Sequence, residues 1–104
     1  MRQARYVLSL DADRDLDALL TYLATHSGAD RAAAVFDRID EILRLLAATP
    51  TLGRVRRDLD GGPRSFAVMR WVVFYEPIEH GDGIYVWRVI DGSRDLGRTV
   101  RRPR

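Results

Sequence analysis

Six arginines in the second half of the chain, Arg54, Arg56, Arg57, Arg64, Arg88 and Arg94, carry most of the chemistry this sequence offers. A guanidinium is permanently charged and presents a planar fork of donors that fits phosphate or carboxylate oxygens in pairs. Grouped, such side chains can hold a phosphate, stabilise the charge of a phosphoryl-transfer transition state, or engage an acidic protein. They are poor general bases, because they do not give up their proton near neutral pH. Side chains that could move a proton are few. His26 and His80 fall in predicted turns with no metal-ligand partner at useful spacing. Ser9, Ser27, Ser65 and Ser93 lie in cap or turn contexts, outside any nucleophile elbow. No phosphate-binding loop, dinucleotide glycine pattern or His-Glu-x-x-His occurs. The reading is therefore a binding surface with no catalytic residue, no metal and no cofactor. Pairing of the same arginines with Asp58, Asp60, Asp91 and Asp95 as ordinary surface structure is the alternative left open.

Those arginines need a scaffold. At 104 residues the chain fits one domain with one modest core. Residues 6–10 form a short strand candidate. Asp11, Asp13, Asp15 and Asp17 then crowd a helix start, where carboxylates meet the positive end of the macrodipole, with Ser9 or Asp11 as N-cap. Leu16, Leu19, Leu20 and Leu23 follow at amphipathic spacing, and Gly28 suits a left-handed end. A second helix is predicted over 30–48, its apolar stripe running from Ala32 through Val35, Phe36, Ile39, Ile42 and Leu43 to Leu46. Pro50 blocks further helix. Strand candidates follow at 64–68, 70–75 and 83–90, with a turn over 77–83. The expected fold is α+β: an N-terminal strand, then an antiparallel two-helix hairpin packed on a small antiparallel C-terminal β-sheet. Arg64 and Arg88 are expected near the same end of that sheet, with the loop carrying Arg54, Arg56 and Arg57 feeding into it.

Alternation puts Val72 and Phe74 on one sheet face and Trp71, Val73 and Tyr75 on the other. One face must meet the helices. The other is either a partly exposed protein interface or is covered by the N-terminal strand and the tail. Residues 97–104 carry Arg98, Arg101, Arg102 and Arg104 with little to bury, and read as a mobile basic tail after a domain of residues 1–96.

Charge is unevenly placed. Residues 1–51 hold six arginines against eight carboxylates, and residues 52–104 hold eleven against seven. All seventeen basic residues are Arg. The chain has no cysteine, which excludes a disulfide framework and thiolate metal sites. Its start does not read as a signal peptide, and no stretch is apolar enough for a membrane span, so a soluble cytoplasmic protein without membrane contact is expected.

One ordered set of motifs runs along nearly the whole chain: Tyr6-x-Leu8-Ser9, Ala12-x-x-Asp15-Leu16-x-x-Leu19-x-x-Tyr22, Thr49-Pro50-x-x-Gly53-Arg54, Gly62-x-Arg64-Ser65-Phe66, Val73-Phe74-Tyr75 and Val86-x-Arg88-Val89-Ile90-Asp91-Gly92-x-Arg94-Asp95. It resembles the ParE branch of the RelE/ParE toxin superfamily. The resemblance implies the toxin of a type II toxin–antitoxin pair with a β-α-α-β-β-β fold. It also implies a cognate antitoxin that wraps around the toxin, neutralises it and links it indirectly to operator DNA. ParE-type members are associated with inhibition of DNA gyrase, and RelE-type members with ribosome-dependent mRNA cleavage. RelE-type nucleases resemble a basic cluster with a tyrosine or histidine after the last strand, and residues 90–94 supply neither. Many ParE-like sequences have His where this chain has Asp91. The expected activity is therefore gyrase inhibition by binding, with an mRNA endonuclease or a non-toxic binding module as rivals. Target contact is assigned to Arg54, Arg56, Arg57, Arg64, Arg88, Arg94 and the tail. Antitoxin contact is assigned to Leu20, Phe36, Trp71, Tyr75 and Trp87.

Overall fold

Ser9 ends the first strand and starts the first helix. Its Oγ accepts from the Ala12 N–H at 3.0 Å and donates to the Trp87 carbonyl at 2.8 Å, while its own N–H donates to Val86 O at 3.0 Å. The structure, a computed structural model, describes residues 4–79 and 81–103. His80, Arg104 and residues 1–3 lie outside the described residues, so the reading of His80 as a turn residue and of Arg104 as part of the tail is not addressed by it. The elements run β1 (Arg5–Leu8), α1 (Leu10–Ser27), α2 (Ala29–Ala48), a 3₁₀ turn (Pro50–Leu52), β2 (Arg54–Val55), β3 (Arg64–Val68), β4 (Trp71–Pro77), β5 (Gly83–Asp91) and a single helical turn, α3 (Leu96–Thr99). Gly28 alone joins α1 to α2, and its φ of +94° is a conformation that L side chains resist.

The sheet order is β1-β5-β4-β3-β2. The helical hairpin and the antiparallel β3-β4-β5 meander match the expected α+β fold. Two features were not expected from the sequence. β1 pairs parallel to β5, from Arg5 opposite Gly83 to Leu8 opposite Val86. Residues Arg54 and Val55, read as loop, form a two-residue edge strand against Ser65 and Arg64. Tyr75 pairs with Val86 and Phe74 with Arg88, so Trp87 is the extra residue of a bulge in β5.

Both faces of the sheet are covered. The inner face packs Trp71, Val73, Tyr75, Val86 and Val89 against Leu16, Leu23, Val35, Ile39, Leu43 and Leu46 of the hairpin. The outer face carries Phe74, Trp87 and Ile90 beneath Leu59 and Val100. Of the two readings of the aromatic face, coverage is the one observed, but by the 56–62 loop and the C-terminal segment; the N-terminal strand joins the sheet edge beside β5 and covers neither face. The tail expectation is corrected accordingly: Val100 has 0% exposure and seats that segment on the sheet. No helix among the described residues is long and apolar enough to cross a membrane.

β1 is tied to α2 by Tyr6, whose hydroxyl donates to Asp40 Oδ1 at 2.5 Å; Arg44 Nε donates to Oδ2 of the same carboxylate at 3.0 Å. Burial, and then the Asp40 carboxylate, push the Tyr6 phenol from 10.0 up to about 12. The fold favours the neutral phenol. The stability it contributes is therefore complete below pH 10.0 and is lost as pH rises towards about 12. Subtracting the phenolate absorbance titration of Tyr6→Phe from that of the native chain should isolate one ionisation near 12. Tyr6→Phe should also show a shallower fall in stability across that interval; an ordinary tyrosine midpoint would contradict the assignment.

Candidate functional site

The six arginines do not converge at one rim. Alternate strands of a meander run in the same direction, so the start of β3 lies opposite the middle of β5, and the end of β5 lies beside the end of β3. Arg64 and Arg88 are nearly level, because Arg64 faces Tyr75 while Ser65 and Arg88 both face Phe74. Arg94, beyond Asp91, is at the opposite end of β3 from Arg64. Directly paired residues share a sheet face, which separates the set further.

Arg54, Arg56 and Arg57 belong to the outer face or its covering loop. Arg54 pairs with Ser65, which pairs with outward-facing Phe74, and is exposed. The Arg56 guanidinium lies 5.9 Å from the Phe74 ring centroid and grips Asp58 with two bonds, Nε to Oδ1 at 3.0 Å and Nη2 to Oδ2 at 2.7 Å. That bidentate contact draws the Asp58 carboxyl down to about 2 and raises Arg56 further. Arg57 is exposed on the same loop. A fourth cation joins them from the tail: Arg102 sits 5.4 Å over the Trp87 ring, with Glu76 at 3.9 Å.

The other three do different work. Arg64 is on the inner side of the sheet edge, and its Nη1 donates to Gly53 O at 2.7 Å. It stands beside Tyr75, whose hydroxyl donates to Pro50 O at 2.6 Å and accepts from Gly53 N–H at 2.8 Å, so the two side chains hold the turn after α2. Arg88 is sequestered: Nε and Nη2 meet the two oxygens of Asp15 at 2.7 and 2.8 Å, and Nη1 donates to Thr99 O at 3.0 Å. The pair is 19% and 13% exposed, and contact with Asp15 raises Arg88 further. Arg88 is thus an internal clamp, which corrects its assignment to target contact. Arg94 is exposed and lines a separate groove.

That groove, about 250 Å³, runs between α1 and the free edge of β5 past the end of β1. Ala18, Leu19 and Tyr22 line it from α1; Arg70, Trp71, Asp91 and Arg94 line it from the sheet. Asp91 accepts from Arg70 Nε at 2.9 Å and from the Ser93 N–H and hydroxyl at 2.9 and 2.8 Å. The Ser93 bonds, with help from Arg70, draw its carboxyl down to about 2, so it is a turn-fixing anion and a poor base. Sequence reasoning missed this groove because the pairing of Arg70 with Asp91 spans two strands.

The antitoxin assignments divide as well. Tyr75 and Trp87 are 0% exposed, so they are core residues and offer no surface to a partner, and Trp71, 6% exposed, is a core residue of which only a small part reaches the groove. Leu20 is half-buried, and Phe36 is 41% exposed. Accessible apolar surface lies instead on the helices and in the groove, including Tyr22, which stacks on His26 with ring centroids 4.1 Å apart. Among the described residues no group of three or more His, Cys, Asp or Glu is arranged to hold a metal ion.

Comparison with known proteins agrees with this architecture. The chain is similar to Toxin ParE3 of Caulobacter vibrioides, 33% identical over 92 residues that cover 88% of this chain and 90% of that protein. Its fold is similar to a solved structure described as a chromosomal ParDE TA system from P. aeruginosa, with TM-score 0.70, 19% identity, and coverage of 86% of this chain and 96% of that one. The family model of the ParE toxin of type II toxin-antitoxin system, parDE, matches residues 6–96. The chain belongs to the ParE family of type II toxins.

Proposed function

We propose that this toxin inhibits DNA gyrase by binding it, and that a cognate antitoxin neutralises it. The observation that supports the reading is the outer face: Arg54 and Arg57 are exposed on it, Arg102 lies over the buried Trp87 ring, and their charges are permanent, while Arg56, its side chain 13% exposed and paired with Asp58, braces the loop beneath them. No described histidine lies on that face, Tyr85 is packed into its apolar cluster, and Asp58 is held as an anion. Such a surface can hold an acidic or phosphate-bearing target but is badly equipped to cut RNA, which needs a proton donor and acceptor beside the scissile bond. Membership of the ParE family supports the same target. The antitoxin then takes the α1–β5 groove and the exposed side of the hairpin around Phe36, and operator DNA is contacted through the antitoxin. A cytoplasmic site of action goes with that target.

Pure toxin added to gyrase and relaxed plasmid should stop supercoiling and accumulate linear DNA after denaturation of the enzyme. Addition of the antitoxin should restore supercoiling. Unimpaired supercoiling at a large molar excess of folded toxin would overturn the reading.

A further inference from the structure

Asp15 occupies two places at once. It lines the α1–β5 groove, and its carboxylate holds three donors: Arg88 Nη2 on Oδ1 at 2.8 Å, and Arg88 Nε and the Val89 N–H on Oδ2 at 2.7 and 3.0 Å. Arg88 itself lies outside the groove lining, and its third arm ends on the Thr99 carbonyl at 3.0 Å. Thr99 precedes Val100, the fully buried residue that seats the C-terminal segment on the outer face. One guanidinium therefore ties α1 to the cover of the opposite side of the sheet. Asp91, the acid on the sheet side of the groove, is already engaged by Arg70 and Ser93 and connects to no other segment.

We propose that the Asp15–Arg88 pair links the α1–β5 groove to the C-terminal segment, so that a cationic side chain arriving in the groove draws on Asp15 and loosens residues 96–103 from the outer face. The groove's occupant thereby acts on Arg102, and with it on the composition of the basic surface, without touching that surface. A carboxylate shared between two cations holds each less tightly than it would hold one. The linkage goes beyond gyrase as a target and stands or falls without it.

Ala18 is exposed, lines the groove and lies three residues after Asp15, within side-chain reach on a helix. Ala18→Arg therefore places the cation without disturbing the core. The readout is amide exchange at Thr99 and Val100, which donate to Asp95 O at 3.1 Å and Leu96 O at 2.9 Å. Ala18→Arg should raise exchange there about two- to fivefold, the range of a partly exposed ion pair, with β4 and β5 amides unchanged. Ala18→Gln should match the native chain. Asp15→Asn, which keeps an acceptor for the Val89 N–H but removes the charge, should raise it more than about tenfold. Native exchange in Ala18→Arg, or an equal rise throughout the sheet, would overturn the linkage. A response confined to Asp15→Asn would overturn it too, leaving a purely structural ion pair.

Discussion

Arg88→Met is expected to destabilise the domain by about 3 kcal/mol, because truncation strands the Asp15 carboxylate beside a half-shielded strand edge. Removing one partner of a buried pair is far more damaging than removing both, since the remaining charge loses its counter-charge but not its desolvation. At 19% and 13% exposure this pair belongs near the low end of that range. Three bonds are lost together, two to Asp15 and one to Thr99 O. The double variant Asp15→Leu with Arg88→Met should recover much of the loss, which separates the stranded charge from the lost bonds. Urea unfolding of the native chain and the two variants measures both quantities. A native midpoint for Arg88→Met, with target binding lost, would restore Arg88 to the contact surface.

Gly83→Ala should be comparably severe, at about 3 kcal/mol, and for a steric reason. Gly83 opens β5 with φ +119°, in register with Arg5 of β1. A Cβ built there would stand 1.7 Å from the Arg5 carbonyl oxygen. Backbone on both sides leaves nothing flexible to yield, so the parallel β1–β5 pairing must open at its first residue. Thermal unfolding should show the loss, and exchange at the β1 amides should rise first. A melting temperature within about a degree of the native value would mean that β1 adds little to the domain.

Both helices and all three meander strands could be read in the sequence because their signals are local. The apolar residues recur at helical spacing from Leu16 to Leu23 and from Ala32 to Leu46, and Trp71-Val72-Val73-Phe74-Tyr75 is β-branched or aromatic throughout. Alternation sorted Trp71 and Tyr75 from Phe74 correctly, but no local signal says what lies over each face. The cover of the outer face is Val100 and the half-buried Leu96 in a segment rich in arginine, together with Leu59 in a loop. Asp15 looked like one of four aspartates favouring a helix start. It differs only in lying on the Ala12–Leu19 flank of α1, beside the apolar stripe, where it meets a residue 73 positions away. Charge pairs of that sequence separation leave no trace in spacing, which is why Arg88 read as free.

The mRNA-endonuclease reading weakens on the same geometry. It draws its charge from Arg56, Arg64 and Arg88, yet the first is paired with Asp58, the second braces the Gly53 turn and the third is held by Asp15 and Thr99 O. What remains exposed on the outer face is Arg54, Arg57 and Arg102, a smaller set than the sequence suggested, drawn from β2, the loop after it and the C-terminal segment.

Gyrase binding is proposed for this outer face. Its most direct test is supercoiling inhibition by Arg54→Glu with Arg57→Glu, set against Arg14→Glu with Arg31→Glu on the exposed helical side. With all proteins folded to the same extent, the outer-face pair should need roughly tenfold more toxin or worse to inhibit, because reversed charges repel as well as fail to attract. The helical pair should inhibit like the native chain. Equal inhibition by both pairs would contradict the account.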